Sequence, residues 1–548
     1  MDNSIQRLCF LRYNFVSSAL LAVSCLFHGL PAWSVADSNA IRIADEKLNS
    51  VNASDTPAEQ ASTPVGECIK RPTSATFIAW DSDPGVRGNI EDHPPDRIVT
   101  LAANGQDQLD DSADFFAALE AIAQGGILEV PAGTYYLSSP IELRAGNQLI
   151  RGAGSDKTHL VFTQSLPYGI AITGQYPKMP TTIIQGEYGS KRLRVETLQD
   201  NVVGKYGVVT NAGSLHSQVV SIIGQTTLTG STELILSMPL NSAFVAGANV
   251  QFFDANEFSG VESLSVDVNS AATYINDMFY LRSAAHVWLR NVESRRARQA
   301  HVFTRQTYGC EITSSTFLNA TGHGDGKQGY GIDLANSTTG CLVENNTLGY
   351  LRHSILLNAS ANGNVIAFNH SFSPRHTNFF EGGPGDVSFH GFSYANLVEG
   401  NVVERIHIGD SGPVGEGNLV HRNCLTSGPM TVGNSPDAVQ SLYTNAMYGT
   451  DVLLQATIMP PVLPEAPLPR PYLQTGASLF DDDGFAISAS ALEPSLKNNW
   501  YRGRQSSVTF ETPDSYYGSL FSPLLKLPAT GGWIADCRIP AMVKAQGL

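Results

Sequence analysis

Six segments of the chain can be laid on one another: SAAHVWLRNVES, YGCEITSSTFL, TGCLVENNTL, NGNVIAFNHSF, YANLVEGNVV and EGNLVHRNCL. Their shared polar position reads Asn291, Ser315, Asn346, Asn369, Asn401 and Asn423, at successive gaps of 24, 31, 23, 32 and 22 residues. Five residues earlier, a second column reads His286, Cys310, Cys341, Asn364, Asn396 and Asn418. A repeat of this length fits one turn of a parallel β-helix, in which each coil stacks roughly 4.8 Å above the last. Extra residues in the two longer repeats then belong to loops on one side. Leucine-rich repeats share the length, but their leucine spacing is missing.

The fold class expected is all-β, a right-handed parallel β-helix. In such a coil a bend between two sheets leaves backbone groups without ladder partners. An inward Asn amide can bond those groups and the Asn of the next coil. Each such bond contributes roughly 1 kcal/mol, and an unpaired buried group costs about 1–3 kcal/mol. Asn346 and its equivalents are therefore read as scaffold. Cys310 and Cys341 fall in adjacent coils of one column, as a buried thiol stack or as a disulfide.

Composition agrees with turn-rich β architecture. Only 15% of the 548 residues are charged, 42% are hydrophobic and 50 are glycine. The net charge of −16 argues against nucleic acid as a partner. Residues 1–36 read as a signal peptide, with Arg7 and Arg12 before the apolar FVSSALLAVSCLFHGL and a cleavage site at Ser34-Val35-Ala36. A single membrane anchor, or a lipid anchor through Cys25, are the alternatives. The protein is thus expected to be secreted, periplasmic or at the cell surface. Past Ala36 five cysteines remain, in no zinc-binding pattern and in odd number.

Residues 37–95, rich in Ser, Ala, Asp, Asn, Pro and Thr, read as a flexible linker. Residues 96–186 read as an N-terminal cap with the first coils. Its helix is ADFFAALEAIAQ, with Asp111 or Ser112 as cap and Gly125 as stop. Residues 187–257 have strand-like runs without the repeat and read as a β-rich insertion. The main β-helix is 258–430. Residues 431–548 read as a Pro-rich wrapping segment, a late coil at 492–501 and a C-terminal cap.

The run DDSADFFAALEAIAQGGILEVPAGTYYLSSPIELRAGNQLIRGAG resembles the start of the pectate-lyase-like superfamily of right-handed parallel β-helices. GVESLSVDV resembles that superfamily's return to the helix after an insertion. The stretch from QGYGIDLANSTTGCLVENN through FHGFSYANLVEGN resembles a subgroup of secreted bacterial members. The resemblance implies the fold and a polysaccharide partner. It transfers no catalytic residue: the paired-Asp and Arg-x-Lys elements of polygalacturonases and the Asp-Pro-His-Asp motif of alginate epimerases are absent.

The register offers a handle of its own, because equal offsets in a coiled stack mean equal faces. Seven positions past the Asn column come Arg298, Gly322, His353, His376 and Ile408. One face therefore gathers Arg298, His323, Asp325, His353, His376, His407 and Asp410, with Arg352 and Arg375 alongside. Surface turns would also favour these residue types, but the longest coils flank this face and would wall a cleft. His390, Glu381 and Asp386 belong to the long coil before Asn401 and are expected to overhang it.

Two chemistries fit. In a lyase acting on a uronate polymer, His353, His376 or His390 is the base and Arg298, Arg352 and Arg375 neutralise the carboxylate. His323 and Glu381 add substrate contacts. In a hydrolase, two of Asp325, Glu381, Asp386 and Asp410 flank the glycosidic bond. Asp325 and Asp410 are also oxygen donors for Ca²⁺; no other cofactor is expected. The densest basic run, Arg295-Arg296-Ala297-Arg298, is either a solvated turn or a uronate contact, and Tyr330 either a packed strand residue or a sugar-stacking ring. The leading expectation is a secreted, monomeric polysaccharide-degrading enzyme working by β-elimination. A glycoside hydrolase and a non-catalytic adhesin or sugar-binding β-helix are the alternatives.

Overall fold

A computed structural model describes residues 84–425 apart from 89, 94, 179, 213–214, 271–272, 325–326, 376–385, 412–413, 416–417 and 422. Strand pieces at 430–432, 440–442, 446–447, 479–480 and 486–487 complete the described set. The signal peptide, the start of the linker, the Pro-rich segment and the late coil of the sequence reading lie outside it.

One coil shows how the chain is built. Leu342–Glu344 is a strand of sheet A, Thr347–Gly349 of sheet B and His353–Leu357 of sheet C. Leu342 pairs in parallel with Glu311 of the coil before and Val365 of the coil after. Repeated along the chain, this gives parallel sheets of eleven, ten and nine strands for A, B and C. Short alternating runs suit it, since each strand sends alternate residues into the interior. Ile312, Val343, Ile366 and Val398 fill the core from sheet A, Phe317 and Leu348 from sheet B, and Ile332, Leu334, Ile355 and Leu357 from sheet C. These stacked sheets are those of a right-handed parallel β-helix, as the repeat implies.

The bend between sheets A and B explains the paired asparagines of CLVENNTL. Asn345 takes φ 56°, a left-handed conformation that Asn tolerates better than most residues. That turns Asn346 inward, where it is fully buried. Its Oδ1 accepts the Ser315 N–H at 3.0 Å, and its Nδ2 donates to Ile312 O at 2.9 Å and to Asn369 Oδ1 at 3.0 Å. The same bonding continues from Asn369 to Asn401 and from Asn401 to Asn423.

The structure shifts the first repeat by one residue. Glu293 pairs with Thr316, so Val292, not Asn291, lies beneath Ser315. Asn291 belongs instead to the left-handed column of Ser314, Asn345, Phe368 and Gly400. Likewise Trp288 pairs with Glu311, so Val287 sits in the Cys310 column and His286 beside it. The inward position tolerates Val there because it ends the ladder. In the second column Cys341 N–H donates to Asn364 Oδ1 at 2.9 Å, and Cys310 N–H to Cys341 Sγ at 3.1 Å. Both cysteines are free thiols and buried, so the thiol stack is the arrangement present. Burial holds the Cys310 thiol well above its usual range.

The helix Ser112–Ala121 turns Phe115, Ala118 and Leu119 onto the core at the N-terminal end of the stack. Asp111 stands at its N-cap position, yet its carboxylate accepts the Tyr136 N–H at 2.9 Å instead of capping. Gly125, at φ 100°, follows the helix end.

The non-repeating segment forms a closed antiparallel barrel. Its strands run in the order Tyr206–Thr210, Ser217–Leu228, Ser231–Leu236, Arg192–Val195, Pro180–Gly186 and Asn249–Phe253. Ile183, Leu193, Val209, Val220, Leu234 and Val250 fill it. It stands against the turns that lead from sheet C to sheet A. Val219 N–H donates to Thr339 Oγ1, Asn241 Nδ2 to Asn362 Oδ1 and Tyr394 OH to Ser217 O, at 3.0, 2.8 and 3.0 Å.

Residues 84–93 differ from the linker that composition suggests. Val86 and Ile90 are buried against Ile127, Leu149 and Trp288 on the outside of sheet A. Gly85 N–H donates to Gly340 O, and His93 stacks on Phe258 at 4.1 Å. Among the described residues no helix is long and apolar enough to cross a membrane.

Candidate active site on the outer face of sheet C

Sheet C is the face that collects chemistry, and its register says why. In each strand two successive residues turn inward, as Met278-Phe279, Gly331-Ile332 and Ser354-Ile355 do, all buried except where glycine leaves no side chain. A Cβ on Gly331 would stand 2.2 Å from Ser354 O, so only glycine fits. The kink leaves three outward rows. The first, at the loop side, is Asp277, Ala300, Tyr330 and His353. The middle row is Tyr280, Phe303, Asp333, Leu356, Ser388 and His407. The third, at the barrel side, is Thr173, Arg282, Arg305 and Ala335.

Asp333 is the most unusual of these. It is 3% exposed, lies between Phe303 and Leu356 across the sheet, and its Oδ1 meets no hydrogen-bond donor. Burial pushes its pKa up to about 8; the Asp277 charge adds to the rise and the Lys327 ammonium opposes it. Asp277 is half-buried, and burial pushes it up to about 7, again opposed by Lys327. Two carboxyls on one face therefore hold their protons near neutrality, and the Asp277 charge bears on Asp333. Beside them Tyr168, Tyr280 and Phe303 stack along the coil axis at 5.5 and 5.9 Å. Ala300, Tyr330, Leu356 and Phe303 form an apolar cluster separate from the interior core.

The sequence-placed residues divide. His353 is 4% exposed, shares a hydrogen bond through Nδ1 with Ser388 Oγ at 3.0 Å, and meets the His390 ring edge-on at 5.2 Å and the Tyr330 ring at 5.3 Å. His407 lies outward in the middle row beside Ser388. Arg298, Arg352 and Arg375 stand before sheet C, over the rings of Tyr274, Tyr330 and Tyr350 at 4.5, 5.9 and 4.4 Å. Arg352 Nη1 also donates to Gly324 O at 3.1 Å, and His323 Nε2 donates to Tyr350 O at 2.8 Å, which fastens that loop. Asp410 lies in the strand Ile406–Ser411. Asp325, His376 and Glu381 lie outside the described residues.

Two expectations change. Asp386 does not overhang the face: it is fully buried, accepting Ser371 Oγ–H at 2.9 Å and the backbone N–H groups of Glu404 and Arg405. The basic run is not a free cationic patch either, because Arg295 pairs with Glu293 and Arg296 with Asp267. Tyr330, 7% exposed, is a packed strand residue. Among the described residues no group of three or more His, Cys, Asp or Glu is placed to hold a metal ion.

Asp277 and Asp333 are the residues sequence reasoning missed. The signal was the alternation in GIDLA and INDMF, which points a lone carboxylate outward from mid-strand.

Fold and face together define a right-handed parallel β-helix protein with an acidic pair on its third sheet. Its sequence matches no family model and no curated protein. Among solved structures it is similar to the tailspike protein gp49 from Pseudomonas phage LKA1, at 16% identity and a TM-score of 0.47, over 62% of this chain and 57% of that one. It is also similar to an exopolygalacturonase from Thermotoga maritima, at 11% identity and 0.35, over 68% and 97%. A third is a tailspike protein variant of E. coli bacteriophage HK620 in complex with a pentasaccharide, at 12% identity and 0.37, over 68% and 57%. The chain thus spans less than two thirds of the length of either tailspike.

Proposed function

We propose that the outer face of sheet C is a glycan groove and that Asp333 and Asp277 hydrolyse a glycosidic bond in it, in a protein exported by its N-terminal signal. One observation carries this reading: two carboxyls with raised pKa on the same face, one of them buried with an oxygen that meets no donor. A carboxyl still protonated near neutral pH is a general acid in waiting. Asp333 gives its proton to the glycosidic oxygen as the bond to the anomeric carbon breaks. Asp277, as carboxylate, takes a proton from the water that attacks that carbon. Proton exchange with solvent then resets both groups. Their backbones stand two strand spacings apart across the sheet and three residues apart along it, roughly 13–14 Å. That is too wide for a retaining pair about 5 Å apart and leaves room for a water between the two carboxyls.

A second reading has its own observation, the His353–His390 contact beside Arg352. There a histidine would abstract the proton next to a uronate carboxylate, leaving an unsaturated product. Incubation with a panel of polysaccharides separates the two. New reducing ends of inverted configuration without ultraviolet-absorbing unsaturated sugar support hydrolysis. Unsaturated product, lost in His353→Ala and kept in Asp333→Asn, would replace it with elimination. Binding without turnover of any polymer would leave a sugar-binding protein.

A further inference from the structure

The third outward row of sheet C holds two arginines side by side. Arg282 pairs in register with Arg305, so their backbones are roughly 4.8 Å apart and their side chains leave the sheet on the same face. Like charges directly opposite one another on a sheet are unfavourable. Several other outward arginines are matched with acids: Arg151 and Arg290 with Glu262, Arg295 with Glu293, Arg296 with Asp267, Arg192 with Glu233. Among the described residues neither Arg282 nor Arg305 has a carboxylate at ion-pair distance, although the chain carries 50 acidic residues against 34 basic ones. Two adjacent arginines without a carboxylate partner offer a concentrated positive charge to an anion from outside.

Their surroundings hold them ready for one. The Tyr176 ring lies 3.7 Å from the Arg282 guanidinium carbon, and Arg282 Nη2 donates to Gly174 O at 3.2 Å. Arg282 Nε is buried with no partner among the described residues, so Nη1 and the second Nη2 hydrogen are the donors left for a ligand. Arg305 is exposed. Behind both, the stack of Tyr168, Tyr280 and Phe303 makes a stiff backing. Rings stacked along the coil axis turn their edges outward, so they support the arginines more than they offer a platform. Both guanidinium charges act on the Tyr280 hydroxyl. Arg305 is one strand away from Asp333 and two residues further along, roughly 8 Å by backbone spacing.

We propose that Arg282 and Arg305 form a subsite for a carboxylate carried by the glycan, so that the substrate of the groove is an acidic polysaccharide. The planar guanidinium fork matches a carboxylate by two parallel hydrogen bonds. The subsite also answers the problem set by a net charge of −16. The field of the whole molecule repels a polyanion, and a paired local cation is what overcomes it. The proposal rests on reading sheet C as a glycan site, but not on which bond is cleaved there.

The test is calorimetric titration of the full chain, as Asp333→Asn to suppress turnover. The probes are galacturonate, mannuronate and glucuronate oligosaccharides, the same oligosaccharides with carboxyl groups reduced to alcohols, and a sulfated glucan. Carboxylated probes from at least one series should bind, and reduction should weaken binding roughly ten- to a hundredfold. Arg282→Gln and Arg305→Gln should each cost a similar factor on the acid form alone and flatten the salt dependence, with unchanged circular dichroism. Arg305→Lys should recover part of it. Equal affinity for acid and reduced forms, indifference to both substitutions, or no binding by any probe would overturn the subsite, and preference for the sulfated glucan would reassign it to sulfate. Acid glycans bound through the arginines but never hydrolysed by the unaltered protein would sink the hydrolase and keep the subsite. Cleavage of neutral glycans indifferent to both arginines would do the reverse.

Discussion

At the bend between sheets A and B, Asn346 is fully buried and every polar atom of its amide has a partner. On the outer face of sheet C, Asp333 is almost as deeply buried and its Oδ1 has none. Burial alone therefore does not separate scaffold from chemistry in this fold. Satisfaction does. A saturated network stabilises the coil stack, whereas an unsatisfied carboxyl raises the free energy of the folded state and holds a proton ready.

The contrast breaks most visibly by Asp333→Asn. Cleavage of the groove's polymer should fall roughly 10²–10⁴-fold, measured as reducing ends per folded molecule. The same change should raise the melting temperature. The folded pKa, about 8, lies above the ordinary carboxyl value of 3.8. The folded state thus keeps a proton that the unfolded chain sheds, and the unaltered protein loses stability as pH climbs between those values. The gain from Asn should be near zero below pH 3.8 and full above pH 8. In the unaltered protein kcat/KM should follow a bell with limbs near pH 7 and 8, belonging to the pair. A single limb near pH 4 would remove the acid pair from the chemistry.

Asn346→Ala works from the other side. It strands the Ser315 N–H and the Ile312 carbonyl, and should cost about 3–5 kcal/mol in denaturant unfolding, with turnover per folded molecule unchanged. Asn345→Gly, one residue away, should change stability by under about 1 kcal/mol, because its own left-handed column already accepts Gly400 at φ 68°. Equal costs at 345 and 346 would mean that the bend, not the ladder, is what the asparagines supply. The smallest effect is expected at Cys310 and Cys341, which should resist thiol reagents until the coils unfold, as mass spectrometry of labelled protein can show.

The coil was legible because its evidence is periodic. Six segments pointed to one bend, and the error at Asn291 arose because the nearest asparagine occupied the left-handed position next to the ladder. The site was less so. Counting offsets brought His353 and His407 to sheet C and the three arginines to its margin. Asp277 and Asp333 each looked like an ordinary strand residue, since what raises their pKa comes from other coils. For Asp333 the neighbours are Phe303 and Leu356, distant in sequence. Asp386 misled for the mirror reason: it follows a long loop in sequence, but its carboxylate serves the backbone of Glu404 and Arg405.

Residues 84–93 have a consequence for the order in which this chain takes shape. Gly85 bonds Gly340, Val86 bonds Glu311, Arg87 bonds His286 and His93 lies on Phe258, so the segment descends across coils in the reverse of their order. During synthesis it emerges before any of those coils exists. Ile127 and Leu149 follow it early, but some 250 further residues must be made before its last partner, Gly340, leaves the ribosome. Solenoid coils ordinarily close one upon the next. Here the earliest described piece of chain is among the last to find its place, and its docking would report that the middle of the stack has formed.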